Sequence, residues 1–563
     1  MSERRRARLI DLRCHQMRDP GSTEELSPPP PIEPAAHLRA AWWVFVLVAA
    51  VLLPAMVVAS FDFGVTFDEK SRHRYGELVW EYLRGLRDRS SFPATGGHLY
   101  GGLFDVICAI VEPWVPLNRY VVRHAINAIF GWVGIVYCGR LAARLFGTWT
   151  GVLAMILLAA SPRYFADSMN NPKDLPFAAL TVAALYYFTG VSSAWPYISR
   201  KAAVGIVGAL ALALNVRPGA LLSLGYLGLL VAAFVVAERN TNWRRLADTA
   251  GRLAMITVAV LLLGTLFWPW AQGSPLTRPV QALLGVAGFP WAGGVLFNGQ
   301  AYAAPDLPWY YAPLWFLIST PPVVLMGALL SLSFGRAALP RVALWTAAVL
   351  PVFLVIVRDS TLYDGVRHLL FVYPILVALA ASGWAAWILD GGRAWVRGAA
   401  AALLVAGLVN VVAFQVRSHP NQAAYFNELA GGPRGAFAKF DMDYWGNCIQ
   451  EAVAWSARTA RLSGRPIAVS GNPWHIVQLD SERFPSLYFT PPHRNQHHLG
   501  IYLARGSVEG VTGLATRTDA LYRVRTADGA VLCAVVPGPA FAELQPHVAF
   551  PPPEWSPHLL TLR

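Results

Sequence analysis

The chain is poor in charge and almost devoid of lysine. Only 14% of its 563 residues are charged, while 55% are apolar and the mean hydropathy is +0.41. That balance excludes an ordinary soluble protein of this length. Lysine is confined to Lys70, Lys173, Lys201 and Lys439, so nearly all of the 46 basic residues are arginine, the bias of a GC-rich bacterial genome. The five cysteines, Cys14, Cys108, Cys138, Cys448 and Cys533, form no CxxC pair and have no histidine set beside them, which removes a zinc site of the usual spacing. Cys448 and Cys533 share the C-terminal segment, where a disulfide and a pair of buried thiols both stay open. There is no Gly-x-x-x-x-Gly-Lys loop and no dinucleotide fingerprint, so a nucleotide-bound donor lacks its usual cradle. No internal repeat is visible.

What the chain has instead is long apolar runs. They recur near residues 41–60, 120–138, 147–162, 175–193, 202–215, 219–237, 253–270, 309–331, 342–357, 368–388 and 398–415, and each is as long, or nearly as long, as a bilayer core of about 30 Å requires. The expectation is a polytopic α-helical membrane protein with about eleven spans. The runs at 147–162 and 202–215 are the shortest, and 103–115 reads as a re-entrant or interfacial helix.

Arginines set the orientation, because basic residues in short loops stay on the cytoplasmic side. The N-terminal tail carries Arg4, Arg5, Arg6, Arg8, Arg13 and Arg18. If it lies inside, the alternate loops that fall inside hold Arg140 and Arg144, Arg200 and Lys201, Arg239, Arg244 and Arg245, Arg336 and Arg341, and Arg393 and Arg397. The net charge of +13 is then mostly topology, which leaves a nucleic-acid partner with little support. The polar, proline-rich stretch Pro28 to Pro31 before the first span is unlike a cleaved signal peptide. Residues 1–38 are expected to be a disordered cytoplasmic tail, 39–416 a transmembrane domain, and 417–563 a small α/β domain outside the bacterial inner (plasma) membrane, periplasmic or extracellular. In that last segment Pro466 to Val469 and Val531 to Val536 read as strands, the second entered through the turn signal Asp528-Gly529.

Two acidic sites fall on the same expected side. The first is Thr66-Phe67-Asp68-Glu69-Lys70, just past the first run. The second is Asn171-Pro172-Lys173-Asp174-Leu175-Pro176. Both have a plain structural reading. Thr66-x-x-Glu69 is a capping box, which needs Glu69 and leaves Asp68 without a task. Asn171-Pro172 is a strong helix start, with Asp174 in a first turn where the helix dipole favours a carboxylate. Cations gather on the same side: Arg123-His124, Arg217-Pro218-Gly219, and Tyr363-Asp364-Gly365-Val366-Arg367-His368. They suit an anionic lipid head group, or else snorkel or pair locally, as Asp364 with Arg367.

The order of a long first span, an Asp-Glu pair, an Arg-His opening the second span, an Asn-Pro-Lys-Asp-Leu-Pro loop and a C-terminal outer domain resembles the GT-C glycosyltransferases. The nearest branch is the dolichyl-phosphate-mannose protein mannosyltransferase group, which includes the bacterial aminoarabinose transferases for lipid A. The resemblance covers residues 41–415 by topology. The segments Pro308-Trp309-Tyr310-Tyr311, Tyr363 to His368 and Asp443-Tyr444-Trp445-Gly446 look like those of uncharacterised bacterial members. Because Asp167 precedes Asp174, either could face the site.

The resemblance implies inverting sugar transfer from a polyprenyl-phosphate-sugar donor to a hydroxyl of a lipid, glycan or protein acceptor at the outer face. By position, Asp68 would be the catalytic carboxylate and Asp174 the second acidic site, with Glu69 beside them. Arg217, Arg367 and His368 would hold the donor phosphate, with Arg123 and Lys173 as further cations of the cluster. Some relatives use a divalent metal and others none; no cofactor is certain, and no histidine-carboxylate spacing decides the matter. The competing classes are a lipid-linked sugar flippase or transporter, and a scaffold without catalysis. The first lacks the paired broken spans of matching halves, and the second leaves both acidic loops unexplained.

Overall fold

The computed structural model describes residues 35–92, 97–192, 195, 198–237, 243–291, 293–333, 338–545 and 548–551. The arginine-rich tail, its proline stretch and Cys14 lie outside the described residues, as do Arg239 and Arg336. The chain divides into a unit of residues 1–40 and a unit of residues 41–563. The site described below lies wholly within the second.

Each apolar run contains helix among the described residues, the one at 253–270 leaving it after Leu263. Among the described residues, seven helices are long and apolar enough to cross a membrane: Arg39–Ser60, Arg119–Phe146, Asp174–Val191, Leu246–Leu263, Ala338–Val357, Arg367–Leu389 and Ala394–Arg417. Two further runs are each broken into a bent pair, Thr148–Ala159 with Pro162–Asn170 at 69° and Tyr311–Ser319 with Pro322–Leu330 at 108°, which brings the total to as many as nine. The cause of both breaks is written in the chain. Pro162 and Pro322 open the second segment of each pair, and a proline there supplies no amide to the preceding turn and forces its neighbour out of the helical region. Of the eleven expected spans, two rest on shorter helices among the described residues, Ala220–Val236 and the 15-residue Arg200–Leu214. At 1.5 Å per residue Arg200–Leu214 is about 22 Å long, less than the bilayer core. Leu103–Val111 is a short separate helix of nine residues.

Helices differ in how much protein covers them. Asp174–Val191 and Arg367–Leu389 are 89% and 83% buried, whereas Arg39–Ser60 and Ala394–Arg417 are 11% and 17% buried. The first two are therefore the centre of the bundle, and both begin at residues expected to carry chemistry. Close approach in the centre depends on small residues: a Cβ on Gly383 would meet the Gly327 carbonyl oxygen at 2.0 Å, the small-against-small packing that membrane helices use.

Two sheets stand beside the helices. A short hairpin pairs β1 (Gly294–Phe297) with β2 (Gln300–Ala303) across Asn298-Gly299. Both turn residues have positive φ, 51° and 79°, as an Asn-Gly hairpin turn requires. The C-terminal sheet has five strands, β3 (Ile467–Asn472), β4 (Leu487–Phe489), β5 (Leu499–Leu503), β6 (Tyr522–Arg525) and β7 (Val531–Pro537). Their order is β4-β3-β5-β7-β6. β3 runs parallel to β4 and β5, and the β6–β7 hairpin closes near Asp528-Gly529, as its turn signal predicts. Cys448 and Cys533 are buried free thiols.

The sheet segment is knitted to the helical part through Asn447. Its side-chain oxygen accepts from the Gly64 amide at 3.0 Å and from Asn170 at 3.1 Å, while its amide donates to the Pro420 carbonyl and to Asn421. One buried side chain thus ties together both acidic loops and the chain entering the sheet.

Candidate active site

The two acidic loops meet. Glu69 starts the helix Glu69–Leu83 and turns back on its own loop, where its carboxylate accepts from the Thr66 amide at 2.8 Å and the Thr66 hydroxyl at 3.1 Å. His124 lies 3.1 Å away on the other side. Glu69 is therefore committed to the turn. Asp68, at the helix boundary, makes no side-chain capping bond; its carboxylate points to Lys173 at 2.8 Å and Arg367 at 3.4 Å. Burial disfavours its ionised form, but these two cations more than reverse that and hold its carboxyl well below the usual carboxylate range.

The second loop is built for this contact. Asn171 accepts from the Asp174 amide at 3.0 Å and caps the helix Asp174–Ser192. Pro172 and Lys173 form the turn ahead of the helix, so Pro172 stands two positions before its first residue. Asp174 is buried in an ion pair with Arg217, while Lys173 reaches out to Asp68. Lys173 and Arg217 both lie over the ring of Tyr100, at 4.9 Å and 5.5 Å from its centre. Asp167 is behind this layer, accepting from Asn171 and from the Trp445 indole, each at 3.0 Å.

A third loop closes the cluster. Asp364 and Gly365 both have positive φ, 58° and 70°, and the Gly365 amide donates to the Tyr311 hydroxyl at 2.9 Å. This tight turn explains Asp-Gly at that point, and it aims Arg367 back at Asp68. Arg367 also pairs with Asp364 at 3.1 Å, and Asp364 pairs in turn with Arg505, which follows β5. The result is an alternating chain of charge, Asp68 to Arg367 to Asp364 to Arg505, running from the first loop to the C-terminal sheet. Arg367 rests between the rings of Tyr363 and Trp445, at 4.7 Å and 4.9 Å.

Two cavities open on either side. A mainly apolar groove of about 320 Å³ is walled by Phe177, Leu222, Leu284, Val355, Leu362 and Phe371, and Arg217, Arg358, Ser360, Thr361 and His368 bring polar groups to it. A more polar cavity of about 450 Å³ is lined by Asp68, Asp364, Arg367 and Arg505 together with Phe67, Trp291, Trp445 and Asn472. The adjacent residues Arg367 and His368 thus face one cavity each.

The structure therefore gathers Asp68, Lys173, Asp174, Arg217, Arg367 and His368, and it does not bring Arg123 or Glu69 to them. Arg123 is 1% exposed and bonded to Asp105 at 2.8 Å, with Glu112 3.8 Å away and Arg72 on the same aspartate. A buried guanidinium so committed acts as a structural tie, and in this structure Arg123 is held apart from the other expected phosphate-binding cations. Sequence reasoning missed Arg505, Trp291, Asn472 and Tyr100, none of which stands in a motif.

The donor set does not fit a divalent ion. Among the described residues, no three His, Cys, Asp or Glu side chains converge as a metal site would. Each carboxylate of the cluster faces a cation rather than another carboxylate, and hard divalent ions need several oxygens together.

No protein-family model and no curated protein matches the chain. Solved structures do resemble it in outline. ArnT from Cupriavidus metallidurans bound to undecaprenyl phosphate aligns over 88% of this chain and 98% of its own at 14% identity, with a TM-score of 0.49. The archaeal oligosaccharyltransferase AglB from Archaeoglobus fulgidus, in complex with an inhibitory peptide and a dolichol-phosphate, aligns over 84% of this chain and 70% of its own at 11% identity and a TM-score of 0.47. The S. cerevisiae protein O-mannosyltransferase Pmt1-Pmt2 complex bound to the sugar donor aligns over 49% and 42% at 16% identity, with a TM-score of 0.32. Likenesses this remote carry no argument about activity, which has to come from the site.

Proposed function

We propose that the chain is an integral-membrane glycosyltransferase of the GT-C type, which moves a sugar from a polyprenyl-phosphate carrier to an acceptor hydroxyl with inversion at the anomeric carbon. The observation that carries this is Asp68, paired with Lys173 and Arg367, lining a polar, aromatic cavity, while His368, the neighbour of Arg367, lines a separate apolar groove. A lipid tail suits the groove, and Arg217 and His368 on the groove side, with Lys173 and Arg367, suit its phosphate.

The chemistry follows from the sides. The acceptor oxygen forms a bond to the anomeric carbon as the bond from that carbon to the phosphate oxygen breaks, and polyprenyl phosphate leaves with the electron pair. The cations stabilise the charge that grows on the phosphate. Asp68 orients the acceptor hydroxyl and takes its proton. A carboxylate held so acidic is a weak base, so it accepts the proton late, once attack has acidified the hydroxyl. Phosphate that draws Lys173 and Arg367 toward itself makes Asp68 more basic at the moment it is needed.

The flippase alternative explains a groove but gives no use to a second, polar cavity across the carboxylate. The orientation that places this site and the C-terminal sheet outside the bacterial inner membrane belongs to the same proposal, as do a donor of either hexosyl or pentosyl type and an acceptor that is lipid, glycan or protein. The test is to supply a polyprenyl-phosphate sugar labelled in the sugar to membranes containing the chain. Label should appear in a lipid, glycan or protein fraction; label that stays on the carrier in every fraction, with wild type and Asp68→Asn alike, would contradict it.

A further inference from the structure

The polar cavity has a composition of its own. Its walls come from the first loop (Phe67, Asp68), the segment before β1 (Trp291), the Arg367 turn, and the C-terminal ends of β3 and β5, which bring Asn472 and Arg505. Trp291 stacks flat on Tyr363, with ring centres 4.4 Å apart and planes within 1°, so one face of its ring is backed and held. Arg505 lies 5.1 Å over Phe67 and is fixed by Asp364 and by the Tyr444 carbonyl at 3.0 Å. Rigid aromatic faces beside planar hydrogen-bonding groups suit a sugar ring, whose C–H faces are apolar and whose rim is hydroxyl.

Charge narrows the ligand further. Asp68 and Asp364 balance Arg367 and Arg505 among the described lining residues, and the pairs are already made. A charged ligand would have to break one of them; a neutral one would not. At about 450 Å³ the cavity falls within the range of small-molecule sites, roughly 300–1,000 Å³.

Geometry assigns the cavity to the acceptor. Resting on the transferase reading above, an in-line displacement sets the attacking oxygen on the far side of the anomeric carbon from the phosphate. Arg217 and His368 line the groove assigned to the phosphate, whereas Asp68 and Arg367 line the polar cavity. We propose that this cavity is the acceptor subsite, that it takes a neutral saccharide, and that Trp291 and Asn472 are its recognition residues.

The test uses full-length protein in nanodiscs and saturation-transfer NMR with three probes: methyl glucoside, the corresponding methyl glucuronide, and methyl 2-amino-2-deoxyglucoside. Saturation transfer should be strongest for the neutral probe and fall at least about threefold in Trp291→Ala and in Asn472→Asp. Trp309→Ala, at a residue 70% exposed elsewhere, should leave it unchanged. No transfer to wild type, a preference for a charged probe, or full signal in both cavity variants would overturn the proposal. Release of polyprenyl phosphate from a labelled donor is followed in the same samples. Donor turnover without glycoside binding sinks the acceptor assignment alone, whereas glycoside binding without donor turnover sinks the transferase reading and leaves a saccharide site.

Discussion

Replacing Asp68 by asparagine separates chemistry from lipid binding. The side chain is 27% exposed and its partners have other ties: Arg367 keeps Asp364, and Lys173 keeps the face of Tyr100. Loss of a partly exposed ion pair of this kind costs about 1 kcal/mol or less, so the variant should fold and insert. Turnover should suffer far more, because removing a positioned proton acceptor costs roughly 10²–10⁴-fold, or about 3–5 kcal/mol in the barrier. Affinity for the lipid phosphate should move the other way. With Asp68 neutral, Lys173 and Arg367 no longer divide their charge between carboxylate and phosphate, and binding should be unchanged or tighter. The assay is single-turnover release of sugar from a polyprenyl-phosphate donor by detergent-purified variants, beside equilibrium binding of a short-chain polyprenyl phosphate. Equal turnover in wild type and variant would remove Asp68 from the mechanism. A parallel loss of turnover and lipid affinity would refute the division of roles between carboxylate and cations.

Three further outcomes follow from the same geometry. Arg217→Lys should preserve the tie to Asp174 yet weaken polyprenyl-phosphate binding by about 1.5 kcal/mol, roughly tenfold, because an ammonium cannot reproduce a planar two-pronged contact; unaltered affinity by the same binding assay would leave Arg217 a structural partner of Asp174 alone. Asp480, fully buried in the helix Trp474–Ser481, has its carboxyl pushed up to about 6 by burial, with Arg483 3.8 Å away pulling the other way. The folded protein then holds this proton more tightly than the unfolded chain, so stability is lost as pH rises between about 4 and 6; Asp480→Asn should raise the Tm at pH 8 and leave it nearly unchanged at pH 4, and equal shifts at both would contradict this. For orientation, an impermeant thiol reagent on intact cells should label a cysteine placed at Ser463 and spare one placed at Ser22, with the reverse pattern inverting the topology.

Local signals were legible where the chain states them locally. The Thr66-to-Glu69 turn, the Asn171 cap, the Asp528-Gly529 hairpin and the apolar runs all follow from residues within a few positions of one another, and the structure forms each of them. The meeting of Asp68 with Lys173 was foreshadowed only by their expected side of the membrane. Long-range partners were beyond reach: nothing near Arg505 in the sequence points to Asp364, 141 positions earlier. Arg123 misled for the same reason, since an arginine at a helix opening looks alike whether it awaits a phosphate or is already bound to Asp105. Arg200–Leu214 and Ala220–Val236 are where counting apolar runs says least, because composition records hydrophobicity while length decides crossing.

Proteoliposomes test the central claim most directly. Loaded with a polyprenyl-phosphate hexose labelled in the sugar, they distinguish cleavage of the sugar–phosphate bond from movement of the intact lipid between leaflets. Wild type should release unglycosylated polyprenyl phosphate with the label passing to an added acceptor fraction, and Asp68→Asn should do so at least about a hundredfold more slowly. Label that remains on the lipid while the lipid crosses the bilayer, at equal rates in both proteins, would contradict a transferase.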